Sequence, residues 1–350
     1  MTIRWRTSRR WWATLLVGTM TTGGVAAAWR ARTAATAGRP PAVIVRREVR
    51  VVIDGAVTLG GELAFPSARA ALPGAGTAAV LLLSGSGAQD RDGARVELPG
   101  YLPFRDIADA LLEAGVAVLR LDDRGTRAST GVFAGATTDD FAQDAARAVQ
   151  WLRTEPALAP QRIALVGHSE GALVALLVAR RDPAIWALGL LGAASRPGRE
   201  VARWQRAALV HRDPTAWPPA QRPAVLLRAE ADAEALAATD PWLRTWFALD
   251  PRAIARDVRQ PVLLLHGVND RQVPVEQGAE LAAVLRDART VQLPNTDHLL
   301  LEDFDGDPQG YVRLVDRRIT RDRLRPLVAF LRRPERGNAF SEGNRTKKTR

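Results

Sequence analysis

Four short apolar runs constrain this chain more than any other feature: Ala79–Leu83, Val116–Leu121, Ile163–Val166 and Val262–Leu265. A strand with one solvated face alternates apolar and polar residues, whereas a strand covered on both faces is apolar at successive positions. Segments with helical patterning, such as Phe104–Ala114 and Phe141–Leu152, lie between the runs. Doubly buried strands alternating with helices predict an α/β fold with a mostly parallel central sheet and helices on both faces. Val49–Phe65 partly alternates around Asp54-Gly55 and Gly60-Gly61, which predicts an antiparallel hairpin leading into that sheet. A chain of 350 residues with 47% hydrophobic content fits one large domain with an insertion, or two domains.

Residues 196–258 break the rhythm. They hold Trp204, Trp217, Trp242 and Trp246, several prolines and alanine-rich stretches such as Ala229–Ala238. The segment falls between the apolar run Leu188–Leu191 and the strand at Val262. It reads as a helical insertion folded over the strand ends, a lid, with its tryptophans packed between helices and core.

Gly167-His168-Ser169-Glu170-Gly171 follows the apolar strand Arg162–Val166 and precedes the helix-compatible Ala172–Ala179. A strand that turns sharply into a helix lifts the central side chain onto an exposed tip, and the flanking glycines leave room for neighbouring backbone. The pentapeptide is short, so its meaning depends on partners. A serine hydroxyl is a poor nucleophile until a base takes its proton, and a carboxylate best orients that base. Of the four histidines, His168 adjoins the serine but should point away from the tip, His211 sits in the insertion, and His266 ends a strand. His298 lies in a loop after Val291–Leu293 and is the natural base in a Ser…Asp…His order. Asp270 follows the strand Val262–Gly267 and meets the demand for an acid at a strand's carboxyl end. Asp257 would lie at the wrong end, and Asp297 is too close in sequence to face its neighbour's ring. For the oxyanion, the backbone N–H of Glu170 and that of Ser86, in the small-residue loop Ser84-Gly85-Ser86-Gly87, are the candidate donors.

These pieces, from about residue 49 to 331, resemble the α/β-hydrolases, and within them the secreted bacterial serine esterases related to prolyl-oligopeptidase-like hydrolases. The resemblance rests on Leu83–Gly93, Leu119–Gly125, the 167–171 turn, His266-Gly267-Val268-Asn269-Asp270 and the loop at His298, all in the family's order. It implies an α/β-hydrolase fold with a helical lid insertion, and hydrolysis of a small-molecule carboxylic ester through an acyl-serine, without cofactor. The catalytic domain would comprise 38–195 and 259–333, with the lid at 196–258. Arg127-Ala128 stands where the family usually has glycine and a basic residue, and Thr296-Asp297 where it tends to have Leu-Asn. The extra carboxylate of Asp297 either raises the basicity of His298 or caps a turn. Thioester or peptide cleavage by the same machinery, and a catalytically silent binding protein on this fold, are the alternatives.

The formal charge of +11 does not point to nucleic acid. Residues 1–37 hold six arginines and no acids, the tail 334–350 a basic surplus of three, and 38–333 a surplus of only two. Cysteine is absent, which excludes disulfides and thiolate chemistry. Asp90-Arg91-Asp92, Asp122-Asp123-Arg124 and Phe304-Asp305-Gly306-Asp307 fit no recognised cation loop, and ion pairs holding loops are the better reading, so no metal is expected. Residues 1–37 have the form of an export segment: Arg4, Arg6, Arg9 and Arg10, then an apolar stretch from Trp11 to Ala28, then Ala35-Thr36-Ala37. Whether cleaved as a signal peptide or kept as a membrane anchor, it implies an exported protein. The polar tail from Pro334 reads as disordered.

Overall fold

A computed structural model of the chain describes residues 43–67, 78–156, 158, 162–213 and 215–332. The export segment expected at 1–37 and the tail from 334 lie outside the described residues.

Among the described residues eight strands form a single sheet: β1 (Ile44–Val52), β2 (Thr58–Pro66), β3 (Ala78–Leu83), β4 (Ala117–Leu121), β5 (Arg162–His168), β6 (Ala187–Leu191), β7 (Val262–Gly267) and β8 (Ala288–Leu293). Their order is β1-β2-β4-β3-β5-β6-β7-β8. The run from β4 to β8 is parallel, and the expected hairpin, β1 with β2, joins its edge antiparallel through β4. The doubly buried runs have a direct physical origin. In β3, Ala79, Leu81 and Leu83 enter one core while Val80 and Leu82 enter the other, and β5 and β7 divide in the same way. Arg120, the one charge in the buried part of β4, lies opposite Glu62 of β2 and pairs with it at 2.6 Å, and also with Asp92. A buried charge persists only when compensated in this way.

One core is closed by α2 (Thr138–Arg153) and α3 (Glu170–Arg181), the other by α1 (Pro103–Glu113) and α9 (Arg321–Leu331). Helix α2 starts three residues before the sequence pattern suggests. Thr137 and Asp140 form a reciprocal capping box that satisfies two of the free N–H groups of its first turn. The insertion folds into α4 (Gly198–Arg212), α5 (Arg222–Thr239), α6 (Pro241–Ala248) and α7 (Pro251–Ala255). Ala237, Leu243 and Phe247 give it a small core of its own, against which Trp242 and Trp246 pack. Helix α8 (Glu276–Ala282) connects β7 to β8. Among the described residues no helix is long and apolar enough to cross a membrane.

Candidate active site

The strand-to-helix turn between β5 and α3 forms as the glycines require. A Cβ on Gly167 would lie 2.1 Å from the carbonyl oxygen of Gly171, and one on Gly171 2.3 Å from that of Leu83. Between them Ser169 adopts φ 55° and ψ −117°, a sparsely populated conformation for a residue with a side chain. Such a backbone costs about 1–3 kcal/mol and is held only by its surroundings. Ser169→Gly is therefore expected to unfold at higher temperature than Ser169→Ala, by about 1 kcal/mol of stability, in paired thermal melts. Equal melts would show the turn to be unstrained.

The structure brings Ser169, His298 and Asp270 together. His298 Nε2 lies 3.1 Å from Ser169 Oγ, and His298 Nδ1 lies 2.7 Å from Asp270 Oδ2. Asp270 Oδ1 accepts the backbone N–H groups of Gln272 and Val273 at 2.9 and 2.8 Å. Burial by itself would raise this carboxyl's pKa, but the imidazoles of His298 and His266 overcome that and hold it well below the usual carboxylate range. An ionised Asp270 can only accept, so the proton of neutral His298 sits on Nδ1, and the Nε2 lone pair faces the serine hydroxyl. Gly192, at φ 57°, makes space for the ring, since a Cβ there would meet Nδ1 at 3.1 Å.

Two further histidines support the arrangement. His266 Nε2 donates to the Val273 carbonyl at 2.8 Å and lies 3.2 Å from Asp270 Oδ2, so Asp270 serves two imidazoles. His168, expected to point away from the tip, lies with its ring centroid 4.9 Å from that of His298 and donates its Nε2–H to the carbonyl of His298 at 2.8 Å. Burial, with the neighbouring His298, pushes the pKa of His168 down to about 3, so the tether stays neutral. Neither role was assigned from sequence. For His266 the i,i+4 spacing to Asp270 was the available signal, while for His168 only the turn's geometry could supply one. Asp297 accepts the N–H of Leu301 at 2.9 Å and so caps its turn.

Both candidate oxyanion residues border the serine. Glu170 opens α3, where first-turn N–H groups have no intrahelical partner. Its carboxylate is buried and accepts Thr138 Oγ1–H at 2.7 Å and the indole N–H of Trp242, from α6, at 2.8 Å. Ser86 is half-buried in the loop after β3, and that loop lies against the turn: a Cβ on Gly85 would stand 3.4 Å from Ser169 Cβ. The acidic triplets seen in sequence sit in ion pairs, Arg91 with Asp122 at 2.9 Å and Arg124 with Asp144 at 2.7 Å.

A strained serine, a base with its lone pair aimed at the hydroxyl, and a dipole-rich helix start can together activate an oxygen nucleophile and receive an oxyanion. Comparison with known proteins places the chain among hydrolases. The family model described as serine aminopeptidase, S33, matches residues 101–305. RutD of Variovorax paradoxus strain S110, a carbamate hydrolase by name, is 33% identical over 211 residues, covering 54% of this chain and 77% of RutD. Among solved structures, the Pyrococcus furiosus esterase Pf2001 superposes with a TM-score of 0.52 at 19% identity, covering 73% of this chain and 84% of its own. Est1E of Butyrivibrio proteoclasticus gives 0.51 at 18% identity, covering 76% and 96%. At such identities these two structures speak for the fold.

Proposed function

The chain belongs to the serine aminopeptidase S33 family of α/β-hydrolases, and we propose that it cleaves small-molecule carboxylic esters through an acyl-serine on Ser169. The observation that carries this reading is His298 standing between Ser169 Oγ and the ionised Asp270, at 3.1 and 2.7 Å. As Ser169 Oγ attacks the carbonyl carbon, His298 Nε2 takes its proton, and Asp270 holds the resulting imidazolium. The backbone N–H groups of Glu170 and Ser86 receive the negative oxygen of the tetrahedral intermediate. Collapse breaks the bond to the leaving alkoxide, which takes the proton from His298. Water then attacks the acyl-serine with His298 again as base, releasing the carboxylic acid and restoring the serine hydroxyl.

In this reading α4–α7 form a lid over the site, with Trp242 fixed to Glu170, and residues 1–37 direct export. The likeness to RutD favours one second reading, a carbamate, because a carbamate carbonyl is open to the same attack. A fluorophosphonate probe applied to the purified protein, beside ester, thioester, carbamate and peptide substrates, tests both. Stoichiometric labelling with ester turnover is expected, and labelling should vanish in His298→Ala. An unlabelled wild type would overturn the acyl-serine reading, and labelling with turnover confined to carbamates would select the second.

A further inference from the structure

The loop that carries Ser86 is held from behind by one carboxylate. Asp123, just after β4, accepts Ser84 Oγ–H on Oδ1 at 2.6 Å and the backbone N–H of Gln89 on Oδ2 at 2.8 Å. The Asp123 N–H in turn donates to the Gln89 carbonyl at 3.1 Å. Gln89 closes the chain of contacts, since its Nε2–H donates to the carbonyl of Ser86 at 3.3 Å. One side chain thus grips both ends of residues 84–89, and through Gln89 it also sets the orientation of Ser86. From this geometry we infer that Asp123 is a positioning residue for the reaction, which holds the 84–89 loop so that its backbone N–H meets the oxyanion formed at Ser169. This rests on the acyl-serine reading above.

The surroundings make the grip dependent on pH. Burial is the main cause that raises the pKa of Asp123, to about 7, and the carboxylates of Glu170 and Asp144 add to it. Arg124, the nearest cation by sequence, is engaged with Asp144, and Arg91 with Asp122. A cavity of about 60 Å³ lined by Ser84, Gly85, Asp123, Asp144 and Glu170 adjoins the carboxyl, enough for water to exchange its proton. Above pH 7 the ionised group accepts from both Ser84 and Gln89. Below it the protonated Oδ1 becomes a donor, so the bond to Ser84 must reverse with the hydroxyl accepting, and both bonds lose their charge assistance. The grip is therefore strong on the alkaline side and weak on the acid side.

The test compares wild type, Asp123→Asn, Asp123→Ala and Ser84→Ala, with kcat expressed per serine labelled to completion by the fluorophosphonate probe. A positioning role predicts that Asp123→Ala lowers kcat about tenfold to hundredfold with little change in KM, as expected for a misaligned oxyanion donor. Asp123→Asn, an imitation of the protonated acid, should lose less. Below pH 7 the wild-type log kcat should fall more steeply than that of Asp123→Asn, because the carboxyl of Asp123 gains a proton there and the amide does not. Variants with wild-type kcat per labelled serine and unaltered pH slopes would overturn the inference, even if less of the protein folds. Wild type that takes no label is a different failure, that of the acyl-serine reading.

Discussion

Ser169→Ala is expected to lower ester turnover about a millionfold while leaving the fold intact, since loss of a nucleophile that acts in concert with its base removes the unit as a whole. Alanine keeps a Cβ at φ 55°, so the turn carries the same backbone demand in both proteins. The close contacts of Gly167 and Gly171 are untouched. Turnover should be followed with a chromogenic short-chain ester, and the melting temperature of the same preparation should match wild type within a few degrees. Fluorophosphonate labelling should disappear with activity. A variant that kept a tenth of the wild-type rate would remove Ser169 from the reaction and return the site to a binding role.

Asp270→Asn should cost about ten-thousandfold in kcat, and the reason lies in the direction its oxygens face. Oδ1 is committed to the N–H groups of Gln272 and Val273, which only an oxygen can satisfy. The amide nitrogen of asparagine must then occupy the Oδ2 position and present hydrogens to His298 Nδ1 and His266 Nε2. His298 can accept only by moving its proton to Nε2, where it faces Ser169 with no lone pair. His266 cannot yield in the same way, because its Nε2–H is also held by the Val273 carbonyl. A loss of kcat larger than any change in KM, with the labelling rate falling in parallel, is the expected pattern. Near-normal kcat would mean that the carboxylate does not govern the tautomer of the base.

The central sheet was legible because each buried strand sends alternate side chains into two cores, and that leaves an unmistakable apolar run. Ser169, Asp270 and His298 were legible because their loops follow strands in a fixed chain order. What sequence hid were bonds between elements distant along the chain. Trp242 reads as a core tryptophan, and it does pack as one, yet its N–H crosses 72 residues to Glu170. Asp123 looks like one member of an acidic cluster until the fold sets β4 beside β3 and brings it under Ser84. His168 was expected to face away from the chemistry. Its target, a carbonyl 130 residues on, depends on where β5 and the loop after β8 finish.

The bond from Trp242 to Glu170 divides the insertion into a fixed foot and a variable span. Helix α6 is tied by a partly buried indole to Glu170, the residue next to Ser169. Helices α4 and α5 both contribute to the insertion's apolar cluster and are also joined by ion pairs near the surface, Arg203 with Glu230 at 2.5 Å and Arg199 with Glu234. Surface pairs weaken as mobile ions accumulate, whereas a bond from a neutral indole to the buried carboxylate of Glu170 is screened less. Ionic strength therefore acts more on the span than on the foot. Substitution has the same asymmetry: Leu227 on α5 is exposed and its exchange touches no bond to the site, whereas exchange of Trp242 on α6 removes the donor to Glu170.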